Sequence, residues 1–327
     1  MQEACWTISE AEDPVTTVVR LLSKNMRVIR EDGGLAKIYV SREWYDRELF
    51  KNYEGQITVG LAETADTKVE MTGRIRRHVS TLRVGVWSQD MLTRNKMVWE
   101  VNRIIHQNRT RPNITEYNFV GLGWPEGDPH KAFQAGASSE PVPGAAGWTE
   151  LTAEQYQKIW YSEDQRYSKS TNVNGEYALM LFRFKIESRE NTVKQIVLKF
   201  EGYGTAPGGN GVTIKVWNHA AQQWQNAQTG TDGTDETLSI TLTENIANYI
   251  DDNGYCWLLA KTTHSSDGST AAVIYCDFCS CTVTVNGITY LDVISFRDSD
   301  RVDVKPFIYH TEFQLKSWSF EDVGGIF

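Results

Sequence analysis

The stretch from Gln56 to Asp90 carries a cluster of basic side chains that could bind phosphate or pair with acidic groups. Its members are Arg74, Arg76, Arg77, His78 and Arg83. Side chains alternate between the two faces of a strand, so the first, second and fourth members would share one face and the other two would share the opposite face. The simpler alternative is a solvated strand surface, because exposed charges cost little in water.

Four cysteines could meet in space and hold a metal. Cys276, Cys279 and Cys281 form CDFCSC, and Cys256 lies on a neighbouring predicted strand. On a regular strand, however, Cys276 points away from Cys279 and Cys281, and the paired CxxC knuckles of a structural zinc site are absent. We therefore expect reduced, buried thiols and no metal. The acidic runs at 231–236 and 250–254 lack the spacing of a calcium loop and are typical of turns.

No catalytic motif is present. The sequence lacks GxSxG, HExxH and a phosphate-binding glycine loop followed by lysine, and its six histidines are scattered. We expect no enzyme and no cofactor. A pair of carboxylates that meets only in the folded chain, as in glycosidases, is the alternative that the sequence leaves open.

Charge is distributed unevenly along the 327 residues, whose net charge is −9. Residues 1–120 contain 18 Lys and Arg against 16 Asp and Glu, a net charge of +2, which leaves −11 for the remainder. The overall balance argues against a general nucleic-acid binder. No run of eighteen apolar residues occurs, and the first residues lack the order of a signal peptide, so we expect no membrane insertion.

The N-terminal part predicts two amphipathic helices and a hairpin. Asp13 can cap a helix that starts at Pro14, and Asp90 can cap a second one. The apolar stripe of the second helix is predicted to comprise Met91, Val98, Val101, Ile104 and Ile105.

Between the two helices, the hairpin changes its apolar parity. Ile57, Val59 and Leu61 are predicted to share one face with Val69 and Met71. In the second strand the apolar residues move from the odd positions, Ile75 and Val79, to the even positions Leu82, Val84 and Val86. Such a change requires a bulge, a bend or a new packing partner.

The rest of the chain predicts an all-β domain. Residues 121–175, rich in Gly, Pro, Ser and Ala, are interpreted as a linker or a long surface loop. Short β runs between Tyr177 and Val285, separated by turn residues, favour an antiparallel sandwich of jelly-roll type. Two further strands follow, in residues 288–296 and 305–320.

These last strands predict a discontinuous first domain, because the N-terminal segment alone would leave a sheet edge uncovered. Residues 1–125 with 286–327 would form an α+β module with a mixed or antiparallel sheet and two packed helices. Residues 126–285 would supply the linker and the inserted β-sandwich.

The order of these elements resembles the tail-terminator or tail-completion proteins of long-tailed viruses. The segments that carry the resemblance are ITVGL, VEMTGRIRRHVSTLRVGVW, MVWEVNRIIHQN, ITYLDVISFRDSD and PFIYHTEFQLKSW, about half of the chain. The resemblance implies a ring at the head–tail neck of the virion, commonly hexameric, assembled in the host cytoplasm. The ring would end the tail tube, bind the tail-tube protein and the head-side connector or adaptor, and let genome DNA pass. Alternatives are a head-closure or adaptor protein of the same neck.

Under this resemblance, Arg74, Arg76, Arg77, His78 and Arg83 would lie at the ring interface or line the lumen. DNA contacts there would be weak and would not read sequence, because tight binding would stall the genome.

The insert resembles jelly-roll modules of the carbohydrate-binding or discoidin-like kind, through VWNHAAQQWQ and NYIDDNGYCWLLAKTT. Trp217, His219 and Trp224 could then stack on sugar rings. A packing role for Trp217 is the alternative, and a fold of this class does not imply ligand binding. This resemblance suggests a second function, a tail-associated adhesion protein that binds host-surface glycan.

Overall fold

The computed structural model describes residues 11–42, 44–69, 75–120, 129–163, 165–301, 303 and 305–322, with backbone alone at the last two positions. The chain divides into two compact units. Unit 1 comprises residues 1–114 and 286–327, and unit 2 comprises residues 115–285. No helix within the described ranges is both long enough and apolar enough to cross a bilayer.

Strands outnumber helices in both units. In chain order the elements are α1 (Pro14–Asn25), β1 (Ile38–Ser41), β2 (Gly55–Lys68), β3 (Ile75–Ser88), α2 (Met91–Gln107), β4 (Ile114–Tyr117), β5 (Lys131–Ala137), β6 (Thr149–Glu150), α3 (Ala153–Gln157), β7 (Tyr167–Thr171), β8 (Tyr177–Lys185), β9 (Val193–Thr205), β10 (Val212–Asn218), β11 (Gln223–Thr229), β12 (Glu236–Leu242), β13 (Tyr255–Thr262), β14 (Ala272–Val285), β15 (Tyr290–Asp298) and β16 (Tyr309–Asp322). Short 3₁₀ helices occupy Arg47–Lys51, Glu190–Thr192 and Ile246–Tyr249.

Unit 1 is an α+β layer with one five-stranded sheet. The strand order is β1-β2-β3-β16-β15, with β1 parallel to β2 and the other neighbours antiparallel. Both helices pack on one face, where Val18, Leu22, Ile104, Leu82 and Phe313 belong to the same buried cluster. The opposite face of the sheet is called the open face below.

The helices begin where their capping residues predict. The Asp13 carboxylate accepts hydrogen bonds from the backbone N–H groups of Val15 and Thr16 at 2.9 and 3.1 Å, and Pro14 occupies the first helical position. Asp90 accepts from the Thr93 N–H at 2.6 Å. These interactions satisfy donors that the first turn of a helix leaves unpaired.

The predicted stripe of α2 needs one correction. Met91 is exposed, and Arg94 and Met97 are buried. The Arg94 guanidinium donates to the Thr311 hydroxyl at 2.8 Å and pairs with Asp298 at 2.5 Å. Because a buried cation is costly unless it is paired, these partners on the last two strands hold α2 against the sheet.

The change of apolar parity in the hairpin has two structural causes. A bulge between Leu61 and Glu63 in β2 turns Val69 away from the face that Ile57 occupies, which corrects the prediction that they share one face. Strand β3 itself pairs with β16 without any register shift, from Ile75 to Ser88. The apolar residues of β3 therefore lie on both faces of the sheet: Leu82 faces the helices, and Val79 lies on the open face. Met71 lies outside the described residues.

Unit 2 is an antiparallel β-sandwich. One sheet has the order β11-β10-β13-β8-β5-β6 and the other β12-β9-β14-β4, with β7 also pairing with β14. The inner faces of both sheets form one large buried cluster, which includes Phe119, Phe182, Phe184 and Phe200. The segment 121–175, interpreted from its composition as a linker or loop, contains β5, β6, α3 and β7. Its small residues are compatible with strands because Ala132 is buried in the core and Ala135 packs on the outer face.

The four described cysteines all face the core of unit 2. A bulge between Cys276 and Phe278 rotates the strand, so Cys276 shares the inner face with Cys279 and Cys281, which corrects the expectation from regular alternation. Burial raises the pKa of the Cys256 thiol to about 12 and the pKa of Cys276 and Cys279 well above the ordinary value. Thiols that stay protonated are poor metal ligands. No cluster of metal-ligating side chains occurs among the described residues.

Unit 2 has its own core, and its first and last strands, β4 and β14, are neighbours in one sheet. We predict that residues 115–285 expressed alone fold cooperatively. Phe200→Ala should lower the free energy of unfolding by about 3–5 kcal/mol because it empties a site in the core, whereas Val173→Ala at the surface should change it by less than about 0.5 kcal/mol. Denaturant unfolding followed by circular dichroism measures both. An unfolded isolated unit, or equal effects of the two substitutions, would contradict the division.

Candidate functional site

The structure distributes the predicted basic cluster over both faces of the hairpin. Arg76 and His78 lie on the helix-facing side of β3, and the His78 ring nitrogen Nδ1 lies 2.5 Å from the Asp66 carboxylate. Arg77 and Arg83 lie on the open face, the first half-buried and the second exposed. Arg74 lies outside the described residues. The described members are therefore not gathered on one face of the hairpin.

The open face of the sheet contains two shallow clefts. One, of about 540 Å³, is lined by Arg83, Ser295, Phe296, Arg297, Glu312 and Gln314. The other, of about 440 Å³, is lined by Tyr45, Trp87, Ser299, Asp300, Arg301, Ile308 and His310. Both combine aromatic rings with charges of either sign, a composition typical of polar protein interfaces.

His310 in the second cleft contacts three neighbouring residues. Its ring stacks on Trp87 with centroids 3.6 Å apart, and Nδ1 lies 2.7 Å from the Ser299 hydroxyl. Its backbone N–H donates to Asp300 at 3.0 Å. Burial lowers the pKa of the imidazole. Within the described residues no carboxylate hydrogen-bonds the other ring nitrogen to orient a Ser–His pair for catalysis, so we interpret the contacts as structural.

Sequence reasoning missed this cleft. Ser299 and His310 are separated by a turn, and only the pairing of β15 with β16 brings them together. The signal available in the sequence was the alternation of apolar and polar residues from Phe307 to Lys316, which places His310 and Glu312 on the face opposite Phe313.

Large apolar side chains are exposed far more often in unit 1 than in unit 2. Among the described residues, thirteen of them lie in unit 1 and four in unit 2. Those of unit 1 are Ile29, Leu35, Trp44, Leu61, Val69, Ile75, Met91, Leu92, Trp99, Ile294, Phe296, Phe307 and Phe320. Trp44 is 93% exposed and Trp99 is 74% exposed. Aromatic residues in such positions are typical anchors of protein interfaces.

Of the predicted sugar-stacking tryptophans of unit 2, Trp217 is buried and Trp224 is half-buried. Trp217 is 4% exposed, and its ring meets Trp224 edge-on with centroids 5.1 Å apart. The Trp224 indole N–H donates to the Pro141 carbonyl at 3.3 Å. Trp217 therefore presents no ring face to solvent.

The segment that contacts Trp224 comprises residues 138–148 and is called the strap below. Its Glu140 carboxylate accepts hydrogen bonds from the ammonium groups of Lys215 and Lys261, each at 2.7 Å. The Trp148 indole N–H donates to the Val142 carbonyl at 3.2 Å within the strap. Beneath it, Leu179 and Leu259 form a small apolar cluster on the outer face of the six-stranded sheet.

His219 lies just beyond β10. Its backbone N–H donates to the Asn248 carbonyl at 2.7 Å, and burial lowers the pKa of its imidazole. Of the three predicted residues, Trp217 is thus buried, whereas Trp224 and His219 are half-buried.

A different aromatic group lies on the outer face of the same sheet, beyond the strap. Phe133 and Trp257 have centroids 6.2 Å apart, and the Arg183 guanidinium lies 4.3 Å from the centroid of Tyr255. These side chains are half-buried. The alternation in YCWLLAKT would have indicated them, but Phe133 belongs to a strand that composition had assigned to a linker.

Three comparisons with known proteins bear on the chain. A family model described as "Uncharacterized protein, C-terminal domain" matches residues 128–285, which lie within unit 2. A solved xylan-binding module CBM15 is 13% identical, with alignment covering 53% of this chain and 97% of the module at a TM-score of 0.28. The cryo-EM structure of Broad Bean Stain Virus is 8% identical, covering 62% and 87% at a TM-score of 0.15. No curated protein sequence matches.

Likeness at these TM-scores carries no argument about fold or function. The β-sandwich of unit 2 is instead defined by its own strand pairing and shared core.

The buried histidine of the open face predicts a pH dependence. Because the pKa of His310 is lower in the folded chain than its ordinary value of about 6.5, the unfolded chain binds more protons below that pH. The contribution of neutral His310 to the free energy of unfolding should therefore be fully present above pH 6.5, and it should decrease as the pH drops toward the folded pKa. His310→Gln should reduce this loss, whereas His106→Gln on the exposed side of α2 should not. Thermal unfolding between pH 5 and 7.5 measures this loss of stability. The same dependence of the unfolding temperature on pH in both variants would contradict the role given to His310.

Proposed function

We propose that this chain is a structural protein of the head–tail neck of a tailed virus. Unit 1 forms a closed ring that ends the tail tube and joins it to the head-side connector, and unit 2 decorates the outside of that ring. The partners are other copies of the chain, the tail-tube protein, the connector or adaptor, and genome DNA that passes through the lumen.

The observation that carries this proposal is the concentration of exposed apolar side chains on unit 1. A monomeric protein rarely leaves so many large apolar residues in water, because each forfeits the free energy of burial. Unit 2 shows that the same chain can enclose such residues elsewhere. Unit 1 is therefore the part that assembles, and copies or partners cover its surface.

The long hairpin supports the proposal. Strands β2, β3 and β16 continue beyond the helix-covered core, where residues 60–68 of β2 are all exposed. An extended ribbon of this kind can contact a neighbouring subunit without unfolding its own core. Arg76, Arg77 and Arg83 on it can meet acidic side chains or phosphate.

Electron microscopy of the purified protein tests the proposal. We expect closed rings of uniform subunit number, and rings bound to the ends of tail tubes when tubes are added. A chain that stays monomeric at every concentration and ignores tube ends would overturn it. Rings located at another level of the neck in intact virions would favour a head-closure or adaptor protein instead.

The arginines of the hairpin give a second test. The double substitution Arg76→Glu and Arg77→Glu should reduce ring assembly or DNA passage. Each substitution replaces a cation by an anion, so together they make the interface or the lumen more negative by four unit charges. Folding should be retained because Arg76 is exposed and Arg77 is only half-buried. The control is Lys194→Glu, an exposed position in unit 2. Light scattering and infectivity measure the effect, and intact rings in fully infectious particles would return the cluster to the status of solvated surface.

A second candidate function is glycan binding by unit 2, in an adhesion protein of the tail. Its support is the half-buried group of Phe133, Trp257 and Tyr255 on the outer sheet, since aromatic faces pair with the C–H side of sugars. Glycan-array binding that is lost in Trp257→Ala and kept in Trp224→Ala would favour this function.

A further inference from the structure

The sheet of unit 1 ends in an unpaired strand on each side. Strand β1 lies at one edge and β15 at the other, and no strand of the described residues pairs with their outer sides. An unpaired edge offers a row of N–H and C=O groups to another strand. Strand β1 (IYVS) contains no charged residue or proline but is only four residues long, whereas β15 (YLDVISFRD) carries three charged residues and a bulge, features that restrict which strands can pair with it.

Exposed apolar residues lie beside both edges. At the β1 edge, Ile29 and Leu35 form a bridge just before the strand, and Trp44 follows it. At the β15 edge, Ile294 sits at a bulge and Phe296 follows. All five side chains are more than half exposed. At the start of β15, the Leu291 N–H donates to the Arg109 carbonyl at 2.9 Å and the Val293 N–H donates to the Asp292 carboxylate at 3.0 Å, so the part of this edge that can receive another strand begins at the bulge. The exposed apolar side chains beside both edges gain free energy when they are buried.

The strand directions make the two edges complementary to each other. Because β1 is parallel to β2 and the remaining neighbours are antiparallel, β1 and β15 run in opposite directions. A second copy, related by rotation about an axis along the strands, would therefore bring its β1 antiparallel to β15 of the first. That contact uses different patches on the two copies, so it repeats from copy to copy and can close a ring.

Charged side chains near both edges already have partners within unit 1. Arg30 pairs with Glu54 at 3.0 Å and Arg42 pairs with Asp13 at 3.1 Å. On the other side, Asp298 pairs with Arg94 at 2.5 Å and Asp292 pairs with Arg109 at 2.7 Å. The pairing of the two edges therefore depends on strand direction and on the exposed apolar side chains.

We propose that the β15 edge of one copy, with Ile294 and Phe296, docks on the β1 edge of the next copy, with Ile29, Leu35 and Trp44. The five-stranded sheets then continue from subunit to subunit around the ring. This inference rests on the proposed function and adds the surfaces through which the copies join.

Complementary variants test the pairing. The first variant carries Ile294→Asp and Phe296→Asp, and the second carries Ile29→Asp and Leu35→Asp. Each alone should be monomeric, with association at least about tenfold weaker, because interfacial anchors are replaced by charges. An equimolar mixture should give one-to-one heterodimers and nothing larger, because β1 of the first variant and β15 of the second remain intact. The control carries Val142→Asp and Val173→Asp, exposed apolar positions of unit 2, and should assemble like the wild type.

Light scattering after size exclusion separates the outcomes. Wild-type rings together with normal assembly of both edge variants would overturn this inference and leave the proposed function standing. Loss of assembly in only one variant, or a mixture that stays monomeric, would indicate a contact between identical edges or another surface, and would also overturn it. A wild type that is monomeric at all concentrations would overturn both proposals.

A second measurement does not depend on weakened variants, in case those fold poorly. In an otherwise unchanged chain, Lys37→Cys and Ser295→Cys place one thiol beside each edge, at exposed positions. A short bifunctional maleimide should then link chains into a ladder that ends at the ring number. Variants that carry only one of the two added cysteines should give no species above a dimer, and a ladder from the doubly substituted chain that is no longer than theirs would contradict the pairing.

Discussion

The pairing of β3 with β16 is the interaction on which unit 1 depends. It runs without a register shift from Ile75 to Ser88 and joins the two parts of the chain that flank unit 2. Without β16, strand β15 would have no neighbour, and the helix-facing core would lose Phe313 and Leu315, which are fully buried. Arg94 adds a polar tie across the same junction, from α2 to Asp298 and Thr311. Because a buried cation without partners is costly, the tie also fixes the position of the helix over the sheet.

The two units bury apolar area by different means. In unit 2, two sheets face each other, and the strap covers part of the outer face through Glu140 and its two lysines. In unit 1 a single sheet has helices on one side only, and its second face is covered only in part, around Trp87 and His310. Exposed apolar side chains and unpaired strand edges are therefore found mainly in unit 1, which is where the proposed assembly contacts lie.

Local patterns predicted the elements of this chain better than they predicted its surfaces. Asp13 and Asp90 act as helix caps because the required contacts lie within three residues of the cap. Strand β5 was missed because alanine and glycine dominate it, and its place in the sheet comes from its partner β8. The bulges at residues 62 and 277 change which face a side chain occupies, and no local signal marks them. For a similar reason the contact of Trp224 with the strap was not predicted, since Trp224 and Pro141 lie 83 residues apart in sequence.

The separation of β3 from β16 along the chain has a consequence for synthesis. About 220 residues lie between Ser88 and Tyr309, so at about 5–20 residues per second the ribosome needs roughly 10–40 s to deliver the partner of β3. During that interval the inner edge of β3 is an open template, and unit 2, whose strands are all made before β16, can fold first. Two copies growing on one message could then exchange their last strands. Correct folding of unit 1 therefore requires that nascent chains stay apart until β3 of each chain has paired with its own β16.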